Sequence, residues 1–204
     1  MNTSYAYFGI GIVMLLALIA FTNPGLFGQR GDETIIVPLS PVATSSAFAL
    51  SSSAFGEGTS IPSKYTCDAT PAESQISPPL SIASPPVGTK TFAIIMEDPD
   101  VPKALKPDGT FLHWVLFNIP GNLTDLKEKT MEGLLGANGA GKNSYIGPCP
   151  PKEYQPVEHR YLFTLYALDT SLTLKVGASK QDMLKAMQGH ILEQTALMGR
   201  YKKI

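Results

Sequence analysis

A chain of 204 residues holds one domain with accessory segments. Charged side chains make up 16% of it, below the roughly 25% of an average soluble domain, and the net charge is −1. That balance excludes an electrostatic mode of nucleic acid binding. The chain has 17 prolines and 18 glycines and few helix-periodic stretches, a pattern of strands joined by tight turns.

The N-terminus stands apart. From Tyr5 to Phe21 the chain is uncharged and mostly apolar, and Arg30 is the first charged side chain. A bilayer core of ~30 Å needs about 20 apolar residues in a helix. Residues 5–22, within an N-terminal segment 1–28, are therefore expected to anchor the protein in a membrane. The alternative is a cleaved signal peptide, which would leave the protein secreted. Against cleavage, no Lys or Arg precedes the run and no Ala-x-Ala site follows it. Residues 29–46 read as a flexible linker whose second half is rich in Ser, Ala, Thr and Pro. The domain is expected to span 47–204, opening with an edge strand around Phe48-Ala49-Leu50.

Three runs in the domain predict central strands. Thr91–Met96 is continuously apolar, Leu112–Ile119 ends at Pro120-Gly121, and Arg160–Leu168 follows His159. In the third, Tyr161, Phe163, Leu165 and Ala167 share one face and Leu162, Thr164 and Tyr166 the other. Runs apolar on both faces predict strands covered on both sides. From Lys180 to Tyr201 the sequence predicts a helix, with Ser179 as N-cap, Asp182 three residues on, and an apolar stripe of Leu184, Met187, Ile191 and Leu192.

Two blocks concentrate the chemistry. Glu97-Asp98-Pro99-Asp100-Val101-Pro102 precedes His113-Trp114, and Tyr145-Ile146-Gly147-Pro148-Cys149-Pro150-Pro151 precedes His159-Arg160-Tyr161. Residues before proline are pushed to extended backbone, so each turn is stiff. His159 and Tyr161 lie two apart in a strand and share a face. A carboxylate beside a histidine fixes its tautomer and favours the charged imidazolium. Two such imidazoles, a tyrosine hydroxyl and backbone N–H groups around Gly147 would make a phosphate cradle. Taken singly, each residue has a plainer reading: a core histidine, a surface histidine, aspartates capping turns, a proline corner.

At these residues the chain resembles the phosphatidylethanolamine-binding protein family, in its bacterial and archaeal, Raf-kinase-inhibitor-like branch. The resemblance is carried by Ile61–Asp68, Ser77–Ser81, Glu97–Pro102, His113–Pro120, Tyr145–Pro151 and His159–Leu168, and covers roughly residues 48 to 201. It implies a mainly β fold: a large central sheet packed on a smaller one, with peripheral helices that include a C-terminal helix. It also implies a pocket for small anions and phosphate-bearing head groups. By motif, the pocket's ligand-binding residues fall on Asp98, Asp100, His113, Gly147, Pro148, Pro150, His159 and Tyr161. This chain departs from the family pattern in the polar insert Lys152–Glu158, which is expected to reshape the pocket rim. It also carries Phe111 where animal members have a tryptophan.

Cys67 and Cys149 both lie in blocks that border the implied pocket. If the domain sits outside the cytoplasm they are expected to form a disulfide, with two free thiols as the alternative. A basic residue only after the apolar run argues for a cytoplasmic domain, whereas a disulfide would argue for the extracytoplasmic side, which is the orientation expected. No Cys-x-x-Cys occurs, and neither a metal nor a cofactor is expected. The preferred function is a non-enzymatic binding module for a phosphate head group or a phosphorylated ligand, acting on a protein kinase or protease, with a homodimer left open. A hydrolase built on a histidine–aspartate pair is the alternative; Gly-x-Ser-x-Gly is absent. A purely structural domain is the third reading.

Overall fold

The structure, a computed structural model, describes residues 47–71 and 76–204. The expected membrane span and linker lie outside the described residues, and no helix among those described is long and apolar enough to cross a membrane.

Strands β1 (Ala49–Ser51), β2 (Leu80–Ala83) and β5 (Asp125–Leu126) form a small antiparallel sheet in the order β1-β2-β5. Strands β3 (Thr91–Asp98), β4 (Phe111–Pro120), β6 (Leu134–Leu135), β7 (His159–Leu168) and β8 (Ile191–Tyr201) form the large one, antiparallel throughout, in the order β6-β4-β3-β7-β8. The fold is mainly β, with two sheets and, among the described residues, one α-helix, α1 (Lys180–Met187).

The middle position of β3 explains its composition. Every residue from Thr91 to Met96 is buried. Phe92, Ile94 and Met96 face Trp114, Leu116, Tyr161, Phe163 and Leu165, and the core continues into Leu50, Leu80, Ile82 and Leu126 of the small sheet. Ala93 and Ile95 face the other way, onto Val115, Phe117 and Leu168 and onto Met183 and Met187 of α1. One sheet and one helix thus cover the two faces of the large sheet, as continuous apolar runs require.

The predicted C-terminal helix is shorter than its sequence pattern. Ser179 closes a capping box with Asp182, but the helix stops at Met187, and Gly189 turns the chain at φ 78° into an eleven-residue strand. A left-handed residue past the last turn is a common helix stop that glycine takes without strain. Beyond it the burial period is two: Leu197, Gly199 and Tyr201 are buried as β8 pairs along β7. The helix instead buries Met183 with Met187, while Leu184, Ile191 and Leu192 stay 36%, 42% and 41% exposed.

Gly189 gives a test by sign. A Cβ there meets nothing within 4 Å, so Gly189→Ala adds only left-handed strain and should lower stability by about 1 kcal/mol in urea unfolding. A glycine inside a continuous helix would give the opposite result, a gain of about 1 kcal/mol.

Candidate functional site

Antiparallel pairing sets the site. β3 runs to its end at Asp98 between the beginnings of β4 and β7, so Asp98, His113 and His159 converge from three neighbouring strands. A β-bulge aims the second of these. Met96 pairs with Trp114 and Glu97 with Leu112, leaving His113 as the extra residue. The bulge takes the His113 carbonyl out of the ladder, and that carbonyl accepts the Ile146 N–H at 3.1 Å. Bulges of this kind re-aim side chains beside functional sites.

Asp98 is 4% exposed and its carboxylate is occupied on both oxygens. Oδ1 accepts the Asp100 N–H at 2.8 Å and Oδ2 accepts His159 Nδ1 at 2.7 Å. Two residues further on, Asp100 accepts the backbone N–H of Arg160 at 2.8 Å and its guanidinium at 2.9 and 2.6 Å. The Asp-Pro-Asp turn is therefore fastened twice to the start of β7. Hydrogen bonding from Arg160 holds the Asp100 carboxyl below its ordinary range, and Asp100 in turn raises Arg160.

His113, 5% exposed, donates from Nδ1 to the Ile146 carbonyl at 2.8 Å. Its ring meets Phe111 and Tyr161 edge-on, with centroids 4.9 and 5.2 Å away. Burial pulls its pKa below 6.5, against the opposing pull of the Ile146 carbonyl and the Asp98 charge. That direction favours the neutral ring, with Nε2 as a hydrogen-bond acceptor, over the charged imidazolium. The His159 Nε2 and the Tyr161 hydroxyl are both buried and complete no hydrogen bond of acceptable geometry among the described residues. Burial, followed by the neighbouring Asp98 carboxylate, pushes the Tyr161 phenol far above its ordinary value.

These groups border a cavity of about 380 Å³. Asp98, His113, His159, Gly147 and Pro150 from the expected set line it. Asp100, Pro148 and Tyr161 do not. Asp100 is turned to Arg160, the Pro148 carbonyl accepts Cys67 N–H at 3.0 Å, and Tyr161 is wholly buried against His113. Gly147 is also explained by packing: a Cβ there would lie 2.6 Å from the Tyr65 carbonyl oxygen and 2.8 Å from Thr66 Cα. The turn offers few donors, since Pro148, Pro150 and Pro151 carry no N–H and that of Ile146 is taken.

Sequence reasoning missed much of the wall. Val101, Leu105 and Lys106 come from the β3–β4 connection, and Tyr154 comes from the insert expected to reshape the rim. A hairpin joining Asp98 to Phe111 has to pass beside the cavity, and that was the one signal available for Lys106. Cys149 also lines the cavity and is bonded to Cys67, with Cα atoms 5.3 Å apart. Among the described residues no three His, Cys, Asp or Glu side chains are grouped to hold a metal ion.

The model of the family described as "Phosphatidylethanolamine-binding protein" matches residues 51–202. The chain belongs to the phosphatidylethanolamine-binding protein family. A UPF0098 protein of Chlamydia pneumoniae is 42% identical over 155 residues, covering 76% of this chain and 98% of that protein. One from Pyrococcus horikoshii is 40% identical over 201 residues, covering 94% and 89%. The crystal structure of a family homologue from Chlamydia trachomatis superposes with a TM-score of 0.71 at 40% identity, covering 78% of this chain and 99% of that one. Escherichia coli YbcL shares the fold, with a TM-score of 0.66 at 23% identity over 77% and 99% of the two chains.

Two predictions follow from the buried pairs. Asp98→Ala leaves the His159 Nδ1 donor buried without a partner and should cost about 1–3 kcal/mol or more in chemical denaturation; a loss below about 0.5 kcal/mol would place Asp98 among ordinary surface residues. The second concerns titration. Because the folded pKa of His113 lies below its unfolded value near 6.5, its contribution to stability is complete above about pH 6.5 and is lost as pH falls through the folded value. Imidazole NMR should show His113 neutral and protonated on Nδ1 at pH 6.5; a midpoint above 6.5 contradicts this.

Proposed function

We propose that the cavity binds a small anion of the phosphate type, with His113 and His159 as its buried polar anchors, Asp98 orienting His159, and no chemical turnover. The observation that carries this reading is the buried His159 Nε2. His159 lines the cavity, its Nε2 has no partner among the described residues, and its Nδ1 is held by Asp98. A buried polar atom left unpaired is costly, and a ligand oxygen in the cavity would pair it. Lys106, in the lining of the same cavity, supplies a cationic side chain.

Proton accounting follows from the ring geometry. Each histidine uses Nδ1 within the protein, so each can offer only Nε2. A fully ionised phosphate needs donors there, so either a ring takes up a proton or the phosphate keeps one; its second pKa is about 6. In both cases the complex holds an extra proton at pH 8.

A phosphorylated peptide presents the same head group as a lipid or a free monoester, and regulation of a kinase or protease would run through that route. The disulfide supports an extracytoplasmic domain, since such bonds persist in oxidising compartments. The hydrolase reading draws on the Asp98–His159 pair, an orienting carboxylate behind a base. Cys149, the nucleophile it would use, is occupied in the disulfide.

Calorimetric titration of the full chain with inorganic phosphate should give tighter binding at pH 5.5 than at pH 8, with affinity falling by up to about tenfold per pH unit where one proton is taken up. Equal affinities at the two pH values rule the histidines out as anchors. Turnover of p-nitrophenyl phosphate that disappears in His159→Gln would replace the binding reading with the hydrolase one.

A further inference from the structure

The anchors occupy only part of the cavity. A phosphate ion is the size of roughly three waters, or about 90 Å³ at the ~30 Å³ each takes in the liquid. The cavity measures about 380 Å³, within the range of sites for whole organic ligands. The remaining lining is apolar, aromatic and cationic: Val101, Leu105 and Lys106 from the β3–β4 connection, Phe111 at the start of β4, and Pro151 and Tyr154 from the other wall. Leu105 is 59% exposed in spite of its side chain. Lys106 is paired at 3.1 Å only with the exposed Asp108, a contact that holds weakly in water.

Resting on the anion reading above, we propose that this half of the cavity is a second subsite that takes the aromatic ester group of a phosphate monoester. The volume left beside the phosphate suits one ring system and is far too small for a pair of long acyl chains. Two aromatic side chains and Pro151 offer flat or rigid faces to such a ring, at little entropic cost. A lysine ammonium beside the same opening gains from an aromatic face as well as from the phosphate charge. Val101, Leu105 and Lys106 come from the connection after the Asp-Pro-Asp turn and Tyr154 from the Lys152–Glu158 insert, so on this proposal these loops, with Phe111 and Pro151 at their borders, set the ester group while the strand ends hold the phosphate.

The test compares inorganic phosphate, phenyl phosphate and hexyl phosphate by calorimetry on the full chain at pH 6. Phenyl phosphate should bind more tightly than both others, by at least about threefold. In Tyr154→Ala and Leu105→Ser the ratio of phenyl phosphate to inorganic phosphate affinity should drop towards one. Equal affinity for phenyl and inorganic phosphate overturns the subsite while leaving the anion site standing. A ratio unmoved by both substitutions also overturns it, as does hexyl phosphate matching phenyl phosphate, which would make the occupant an alkyl chain. Failure of all three to bind the wild-type chain overturns the anion site itself.

Discussion

A carboxylate is stable inside a protein only when hydrogen bonds replace the water it has lost, and Asp98 meets that condition with a backbone N–H on one oxygen and an imidazole on the other. Those two bonds fix the Asp-Pro-Asp turn, the first residue of β7 and the tautomer of His159 together. The parallel contact of Asp100 with Arg160 fastens the same two segments nearer the surface, where solvent weakens it. With the end of β3 held to the start of β7, the bulge in β4 brings His113 to the same place, and the cavity opens where three strand ends fail to close over one another.

The site that results is richer in acceptors than in donors. Asp98 and the neutral His113 both accept, and the proline turn adds little. Positive charge in the lining comes from Lys106. On the proposed reading an anion would be drawn by that cation and held by a proton captured with it, which would tie occupancy to pH without a change of fold. The disulfide through Cys149 keeps the proline wall against the Tyr65–Asp68 segment, where Gly147 already needs close backbone contact.

The central strands were legible in the sequence because a strand buried on both faces has to be continuously apolar, as Thr91–Met96 is, and because Tyr161, Phe163, Leu165 and Ala167 alternate onto the buried face of β7. The likeness to a family made the convergence of Asp98, His113 and His159 readable; spacing alone left each with a plainer role. The region after Gly189 was misread because Met187, Ile191 and Leu192 recur at helical intervals, while the pairing of β8 with β7 that overrides them is a long-range fact. The bulge at His113 has no local sequence signature, since it depends on register against β3. Lys106 and Tyr154 lie in loops, where no periodicity reports which way a side chain turns. Asp100 and Tyr161 were assigned to the pocket from their neighbours in the motif; Asp100 instead donates its N–H to Asp98, and Tyr161 packs on His113, both of which line it.

The central claim, that both imidazoles meet one ligand, is tested most directly by following their ring nitrogens by NMR while inorganic phosphate is added at pH 6. The Nε2 signals of His113 and His159 should move together along a single saturation curve, while that of the exposed His190, hydrogen-bonded to Asp169, stays in place. Saturation with neither buried ring perturbed, or with His190 alone responding, would contradict it.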